Sequence, residues 1–184
     1  MDDEKYASLK IENIVASGRI AHSLDLEDLS EKIDGCELNK KRFPGAVYRL
    51  EKPKMAALIF SSGKVVLTGL QSHEGLEIGQ EKILKQLKEN GAEILENPDV
   101  KVTNIVCSYD MGRKINLNRV VITLNLENIE YEPEQFPGLV YRIEKPKIVA
   151  LLFSSGKIIL TGGKNLDDIK AGLDVLEKKL ENIL

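Results

Sequence analysis

The chain has 184 residues, of which 42% are apolar and 30% are charged, a composition typical of a folded globular protein rather than a disordered or fibrous one. Its net charge of −3 argues against a general nucleic-acid binder, because such proteins usually carry a basic excess. No segment approaches the roughly 20 continuous apolar residues that span a bilayer, and the acidic start, Asp2-Asp3-Glu4, is unlike a signal peptide. We therefore expect a protein of the cytoplasm, or of the nucleus in a eukaryote, with no membrane partner.

Short strand patterns and two helical patterns alternate along the first half of the chain. The predicted strands there are, in chain order, Lys10–Ser17, Val47–Glu51, Lys54–Phe60 and Val65–Gly69. The last two flank Ser61-Ser62-Gly63-Lys64, whose glycine suits a hairpin turn. A short helix is predicted at Asp25–Leu29, and a long one from about Glu74 to Asn90, ended by Gly91 as a left-handed cap. In the second half, a closing helix is predicted after Asn165 as the N-cap.

An internal repeat organises the whole sequence. Residues 43–69 and 136–162 align over 27 positions, of which 20 are identical, and the other seven exchange one apolar residue for another. A weaker match links Lys10–Val15 with Lys101–Val106. The sequence therefore predicts two repeats, at 1–95 and 96–184, related by an approximate two-fold axis. Each repeat reads strand, helix, several antiparallel strands and long helix, which indicates an α+β fold with the helices on one sheet face.

The strands of the repeated hairpin are apolar on both faces. Met55, Ala57 and Ile59 share one face of the first copy, whereas Ala56, Leu58 and Phe60 share the other. An antiparallel sheet with one side in water would alternate apolar and polar residues. One face can pack under the helices, so the second needs another cover. The pattern leaves two covers open, a further layer of protein or the floor of a DNA minor groove.

No pattern for catalysis or metal binding is present in the sequence. Cys36 and Cys107 have no ligand spacing and are predicted to be buried thiols. His22 and His73 are isolated and are predicted to lie on the surface. Ser61-Ser62-Gly63-Lys64 lacks the spacing of a phosphate-binding loop. We therefore expect no enzyme activity and no cofactor.

The runs FPGxVYR, PKxxALxFSSGK and TG each occur twice, together with paired Asn-Ile-Val segments. In this they resemble the conserved core of the TATA-box-binding protein family, in its archaeal type, over about residues 8 to 184. The resemblance implies a pseudo-two-fold saddle of two repeats, with a ten-stranded antiparallel sheet and four helices on the convex face. It also implies a general transcription initiation factor that binds and bends the minor groove of A·T-rich promoter DNA (the TATA box) and recruits transcription factor B and RNA polymerase. In an archaeal cell such a protein works in the cytoplasm, with the nucleoid.

The resemblance assigns DNA-binding roles position by position. The phenylalanines that wedge base steps apart correspond to Phe43, Phe60, Phe136 and Phe153, with Pro44 and Pro137 beside them. The base-edge positions are Asn13, Asn104, Thr68 and Thr161. The apolar contacts are Val15, Leu58, Val66, Val106, Leu151 and Ile159. The positions at phosphates and groove rims are Arg42, Arg49, Ser62, Lys64, Arg142, Ser155 and Lys157.

The loop before each FPG run breaks the symmetry of the repeats. It reads Leu38-Asn39-Lys40-Lys41-Arg42 in the first copy and Tyr131-Glu132-Pro133-Glu134-Gln135 in the second. The resemblance implies that Glu132 and Glu134 contact transcription factor B. An acidic loop near DNA phosphates is unfavourable, which favours a basic protein partner for it.

Departures from the family pattern leave other interpretations open. The TG runs continue with Leu70-Gln71 and Gly163-Lys164, where the family usually has Ala-Lys, and Ala16-Ser17-Gly18-Arg19 is an unusual stretch. The first alternative is a divergent paralogue that acts mainly through protein contacts. A fragment of a DNA-repair enzyme with the same fold ranks lower. A homodimer of the DNA-free protein through its apolar face is also open.

Overall fold

The computed structural model describes residues 2–124 and 126–183. The helices are α1 (Asp2–Lys5), α2 (Leu26–Lys32), α3 (His73–Glu89), α4 (Leu117–Thr123) and α5 (Leu166–Leu180), with a 3₁₀ turn at Leu126–Asn128. The strands are β1 (Lys10–Arg19), β2 (Cys36–Leu38), β3 (Ala46–Glu51), β4 (Lys54–Ile59), β5 (Lys64–Leu70), β6 (Asp99–Asp110), β7 (Ile129–Glu130), β8 (Leu139–Ile143), β9 (Ile148–Leu152) and β10 (Lys157–Gly163).

Two compact units make up the chain. The N-terminal unit is Asn13–Thr103, and the C-terminal unit is Asn104–Leu184 together with Met1–Glu12. The start of β1 thus belongs with the second repeat. The predicted repeat boundary between residues 95 and 96 stays a prediction.

Side chains cap the starts of α2 and α5. The Asp25 carboxylate accepts from the Asp28 amide at 3.1 Å and begins α2, and the Asn165 amide oxygen accepts from the Asp168 amide at 2.8 Å and begins α5. Gly91 follows α3 with a φ of +94°, as a left-handed cap requires. The predicted ends at Asn165 and Gly91 are confirmed because they depend on local chemistry alone. The predicted short helix Asp25–Leu29 instead spans Leu26–Lys32, with Asp25 as its N-cap.

The sequence patterns missed two short edge strands. β2 pairs antiparallel with β3, and β7 pairs antiparallel with β8. With three and two residues respectively, they are too short for a periodic signal. Their pairing to the next strand, not their own propensity, defines them.

The N-terminal unit is an antiparallel sheet in the order β2-β3-β4-β5-β1. Along β4 and β5 the side chains alternate between buried and half-exposed. Met55, Ala57 and Ile59 are buried, and α3 covers this face. A Cβ on Gly79 of α3 would lie 2.1 Å from the Met55 sulfur, so the glycine permits the close approach of helix and sheet.

The C-terminal unit repeats this arrangement in the order β6-β10-β9-β8-β7. Ile148, Ala150 and Leu152 of β9 are buried under α5. A Cβ on Gly172 of α5 would lie 2.9 Å from the Ile148 side chain. In both units, therefore, a helical glycine packs on the same position of the hairpin.

Polar contacts join the N-terminal segment to α5 within the C-terminal unit. Lys5 lies 2.5 Å from the Asp174 carboxylate and 3.3 Å from Glu177. The Tyr6 hydroxyl donates to Asp174 at 2.6 Å, and the Tyr109 hydroxyl donates to Glu177 at 2.7 Å. Burial, together with the bond to Glu177, raises the pKa of Tyr109 to about 12. These contacts fasten the start of the chain to its last helix.

Asp174 makes this attachment dependent on pH. Partial burial alone would raise the pKa of Asp174, but the bonds from Lys5 and Tyr6 outweigh it and lower the pKa. A carboxylate with a lowered pKa stabilises the fold at neutral pH, and this contribution is lost as the pH falls through that pKa. We expect Asp174→Asn to lower the free energy of unfolding at pH 7 by at most about 1 kcal/mol, because the site is nearly half exposed.

Thermal unfolding at pH 7 and at pH 3 measures this effect. The difference between Asp174→Asn and the parent protein should be smaller at pH 3, because the contribution of a carboxylate with a lowered pKa is progressively lost once the pH falls below the ordinary pKa of that group. Asp34→Asn, at an exposed turn, serves as the control. An equal loss at both pH values would contradict the assignment.

Both cysteines are free and buried, as predicted. Burial raises the pKa of Cys36, and burial with a smaller effect of Glu12 raises that of Cys107 to about 11. His22 and His73 are exposed, also as predicted. In the part of the chain that the structure describes, no helix has the length and apolar character needed to cross a membrane.

Candidate nucleic-acid interface

A half-exposed apolar face lies opposite α3 in the N-terminal unit. The register places Val47 beside Leu58, Leu58 beside Val66, and Val66 beside Ser17. These four residues form one row across β3, β4, β5 and β1, and all are half-buried. The prediction that both faces of the hairpin are apolar is thus confirmed. Within the described residues of this unit, helices cover only one of the two faces.

The C-terminal unit presents an equivalent row. Val140 lies beside Leu151, Leu151 beside Ile159, and Ile159 beside Ser108. Val106 is half-buried two residues before Ser108 on β6, as Val15 is two residues before Ser17 on β1. The two units therefore offer nearly the same apolar surface.

A β-bulge holds Asn13 in a fixed orientation. The pairing of β1 with β5 shifts between Ile14 and Ala16, where Gly69 has a φ of +91°. The bulge frees the Gly69 amide from the ladder, and this amide donates to the Asn13 side-chain oxygen at 2.7 Å. The Asn13 nitrogen lies 3.2 Å from the Thr68 hydroxyl. The bonded oxygen fixes which way the amide points, so the NH₂ group keeps a hydrogen for a further acceptor.

Asn104 is held in the same way in the C-terminal unit. The Gly162 amide donates to the Asn104 side-chain oxygen at 2.7 Å, and the Asn104 nitrogen lies 3.2 Å from the Thr161 hydroxyl. Gly162 has a φ of +100° beside the equivalent register shift in the pairing of β10 with β6. The Thr-Gly run in each repeat thus serves to orient an asparagine.

Two phenylalanines pair at one end of each unit. The rings of Phe43 and Phe60 meet edge to face, with centroids 5.6 Å apart. Those of Phe136 and Phe153 do the same at 5.9 Å, and Phe136 is 41% exposed. A partly exposed ring pair that continues an apolar sheet face is typical of a surface that binds a partner.

The glycine of each FPG run lies beneath its ring pair. A Cβ on Gly45 would approach the Phe43 ring to 3.0 Å and the Phe60 ring to 3.2 Å. A Cβ on Gly138 would approach the Phe136 ring to 2.8 Å. The absence of a side chain therefore lets the two rings pack together, and it explains the glycine in the motif.

The remaining predicted site residues lie at the rims of these faces. Lys64 and Lys157 begin β5 and β10 and are exposed. Arg49 lies 3.8 Å from Glu37, and Arg142 lies 3.7 Å from Glu130. These exposed pairs hold the guanidinium groups loosely. Also exposed at the rims are Arg42, Pro44, Ser62, Pro137 and Ser155.

Sequence reasoning assigned no DNA-binding role to four members of the apolar face, of which only Ala56 was already placed on it by the hairpin pattern. Val47 and Val140 lie in the two rows, and Ala56 and Val149 lie directly opposite Thr68 and Thr161. Their position two residues before Arg49, Leu58, Arg142 and Leu151 is the signal that places them on the same face.

The acidic loop of the second repeat is a compact turn. The Glu132 carbonyl accepts from the Gln135 and Phe136 amides, both at 3.0 Å. Glu132 and Glu134 are exposed and line an open depression of about 300 Å³. Their side chains are thus exposed on the turn that leads into Phe136.

The structure defines a two-repeat α+β protein that exposes a duplicated apolar sheet face with oriented amides. No group of side chains suited to holding a metal ion occurs among the described residues. Residues 8–90 and 99–183 match the family model described as Transcription factor TFIID (or TATA-binding protein, TBP). The chain belongs to the TATA-binding protein family.

Individual relatives agree with this family. The chain is 49% identical to TATA-box-binding protein 2 of Methanosarcina mazei, over 96% of this chain and 97% of that one. It is also 49% identical to the TATA-box-binding protein of Archaeoglobus fulgidus, over 95% and 96%. The solved structure of Methanococcus jannaschii TBP superposes with a TM-score of 0.85 at 44% identity, over 96% of this chain and 99% of that chain. These matches confirm the resemblance to the archaeal type and the predicted fold class.

Proposed function

We propose that this protein is a general transcription initiation factor that binds and bends the minor groove of A·T-rich promoter DNA, the TATA box. The observation that carries the proposal is the duplicated apolar face on which Asn13 and Asn104 are each oriented by a backbone amide. The names of its relatives support the same function. A factor that binds promoters works at the chromosome, which in an archaeal cell lies in the cytoplasm.

The chemistry of the minor groove fits this face. A·T pairs offer acceptors there, adenine N3 and thymine O2, whereas a G·C pair adds the guanine amino donor. An oriented NH₂ group from Asn13 or Asn104 can donate to those acceptors but meets another donor at guanine. The apolar rows around Leu58 and Leu151 match sugars and base edges that have few donors. The same surface therefore favours A·T pairs, because the amide donors find acceptors there. It disfavours G·C pairs, because an amide donor that faces the guanine amino group is left without an acceptor.

The paired rings account for bending in this proposal. An apolar ring inserted between two base pairs replaces their lost stacking without needing hydrogen bonds. Phe136 is already 41% exposed, so its insertion requires little rearrangement of the protein. A pair in each repeat would kink the duplex at two places.

Recruitment of transcription factor B is assigned to the acidic loop. Glu132 and Glu134 have no ion-pair partner among the described residues, although they lie beside the proposed DNA face. Acidic groups repel phosphates, so a basic protein surface is the partner that suits them. RNA polymerase would then be recruited indirectly, through that factor. Without DNA, the exposed apolar face is also the surface through which a homodimer would form.

A salt-titrated binding experiment tests the DNA proposal. The full chain should bind a TATA duplex more tightly than one in which the central A·T pairs are replaced by G·C. The expected cost is about 1–3 kcal/mol for each replaced pair. Equal, weak binding to both duplexes would overturn the proposal in favour of a paralogue that works through protein contacts.

The asparagines should carry part of this discrimination. We expect Asn13→Ala and Asn104→Ala to reduce the preference for A·T over G·C at the centre of the site by about tenfold each, because each loses one directional donor. Lys64→Ala should instead weaken binding to every duplex and lower the salt slope by about one unit. Fluorescence anisotropy on both duplexes measures the two effects. Equal losses on the two duplexes in the asparagine variants would contradict base readout.

A further inference from the structure

The ends of β1 and β6 carry opposite charges at equivalent positions. Arg19 is the last residue opposite Lys64 in the pairing of β1 with β5. Asp110 is the residue opposite Lys157 in the pairing of β10 with β6. Arg19 follows Asn13, Val15 and Ser17 at intervals of two residues, so it lies on the half-exposed face. The rim of one face therefore ends in two cations, and the rim of the other ends in a cation and an anion.

Arg19 and Lys64 are like charges on directly paired positions, an arrangement that destabilises a sheet unless an anion is nearby. The Arg19 guanidinium donates to the Ser62 carbonyl at 2.7 Å, which holds it at the hairpin turn. Within the described residues, no carboxylate forms an ion pair with either cation. Most of the donors of Arg19 thus stay available in a fixed place.

Asp110, at the position equivalent to Arg19, forms hydrogen bonds within its own unit. The Asp110 carboxylate accepts from the Gly112 amide at 2.9 Å, and the backbone of the same residue bonds twice to the Ser8 hydroxyl. Asp110 therefore stabilises a turn and reduces the positive potential near Lys157. The difference between the two rims is a property of the folded units and not of the hairpins, whose sequences are nearly identical.

The loop before each FPG run adds to the same difference. The Asn39 carbonyl accepts from the Arg42 and Phe43 amides, both at 3.0 Å, so the basic loop has the same turn as the acidic loop. Lys40 is ion-paired with Glu27 at 2.5 Å. Lys41 and Arg42 are exposed, and no ion pair involves them in the described parts of the chain.

The formal charges can be compared position by position. Arg19, Lys41, Arg42 and Lys64 add to +4, whereas their equivalents, Asp110 (−1), Glu134 (−1), Gln135 (0) and Lys157 (+1), add to −1. We propose that Arg19, Lys41, Arg42 and Lys64 form a cation clamp that binds DNA phosphates next to the Phe43–Phe60 pair, and that the equivalent four positions of the second repeat form none. The hairpin turn of the second repeat has instead the exposed Arg113 and Lys114 near Gly156. Arg19 and Lys41 are then phosphate contacts beyond those that the resemblance implies. The inference rests on the proposed DNA binding.

The clamp makes phosphate binding unequal between the repeats. Each phosphate contact contributes about 0.9 to the slope of log K against log salt concentration. The first repeat should therefore supply most of the salt dependence of a protein whose net charge is −3.

Salt titration of single and combined variants tests the clamp on a self-complementary A·T duplex. We expect Arg19→Ala, Lys41→Ala and Arg42→Ala to lower the slope by about 0.9 each. Between 50 and 200 mM salt, the factor by which affinity falls should then be about 40-fold smaller for the triple variant than for the parent protein. Lys85→Ala, which removes an exposed cation of α3, is the matched control and should leave the slope unchanged.

Reversal of the charge at Arg19 and removal of the charge at Asp110 test the two rims in opposite directions. Arg19→Asp should weaken binding at low salt, and Asp110→Asn should strengthen it, while both keep their preference for A·T over G·C. If the parent protein binds the TATA duplex but the clamp variants have unchanged salt slopes, the clamp is overturned and the proposed function is not. The same result is expected if these cations bind an acidic protein instead of DNA. A parent protein that does not bind the duplex would overturn the proposed function together with the clamp.

Discussion

Replacement of Phe136 and Phe153 by alanine should abolish most of the DNA bend at the second repeat and weaken binding by about 100-fold or more. Opening a base step costs a few kcal/mol, and bending a short site costs roughly 1–6 kcal/mol more. Stacking on an aromatic ring recovers about 1–3 kcal/mol per base. Without either ring, the open step has no stacking partner, so the straight duplex becomes the more stable form.

Bending and affinity should therefore fall together in this variant. Energy transfer between dyes at the two ends of a TATA duplex measures the bend, and anisotropy measures the affinity. The fold should remain, because the ring pair is only partly buried and its mutual contact contributes about 0.5–1.5 kcal/mol. Ile122→Ala is a matched control, since Ile122 is 83% exposed on α4.

The single variant Phe136→Ala separates insertion from packing. Phe136 is the more exposed ring, so its loss perturbs the protein least and should still reduce the bend. A double variant that is folded by circular dichroism and bends the duplex normally would exclude these rings as wedges.

Reversal of the charge on the acidic loop, by Glu132→Arg with Glu134→Arg, should abolish the complex with transcription factor B while DNA binding remains or becomes slightly stronger. Truncation of one partner in a buried charge pair costs about 2–5 kcal/mol, and reversal adds repulsion. The new arginines would also approach phosphates instead of repelling them. The variant should therefore lose affinity for factor B while its affinity for DNA stays the same or rises. Unfolding of the loop would not produce this combination.

The first repeat shows that this turn forms with a basic residue, Lys41, at the position of Glu134. Asn39 to Phe43 forms the same pair of backbone hydrogen bonds with Lys40, Lys41 and Arg42 in the loop. Gel-shift titration with purified factor B, on DNA already saturated with this protein, measures the ternary complex. Glu77→Arg with Glu81→Arg, both exposed on α3, controls for net charge. A ternary complex of normal affinity in the loop variant would rule out the loop as the docking site.

Much of the architecture follows from the sequence by itself. The internal repeat is read directly from the alignment of residues 43–69 with residues 136–162. The hairpin turn at Gly63, the N-cap at Asn165 and the end of α3 at Gly91 each depend on residues within one or two turns of each other. Turn and cap chemistry acts over such short distances, so these predictions match the structure. The alternation of apolar residues also indicated a second apolar face, although it left open what covers that face.

Only the tertiary structure decided how the site is arranged. The bond that orients Asn13 comes from Gly69, 56 residues away along the chain, and it exists because a bulge frees that amide. β2 and β7 are defined by their partner strands, and Lys10–Glu12 belongs to the unit of the other repeat. Arg19 becomes a neighbour of Lys64 only through the register of β1 with β5. Such features depend on pairing between distant segments, and local periodicity carries no information about which distant strand is paired or in which register.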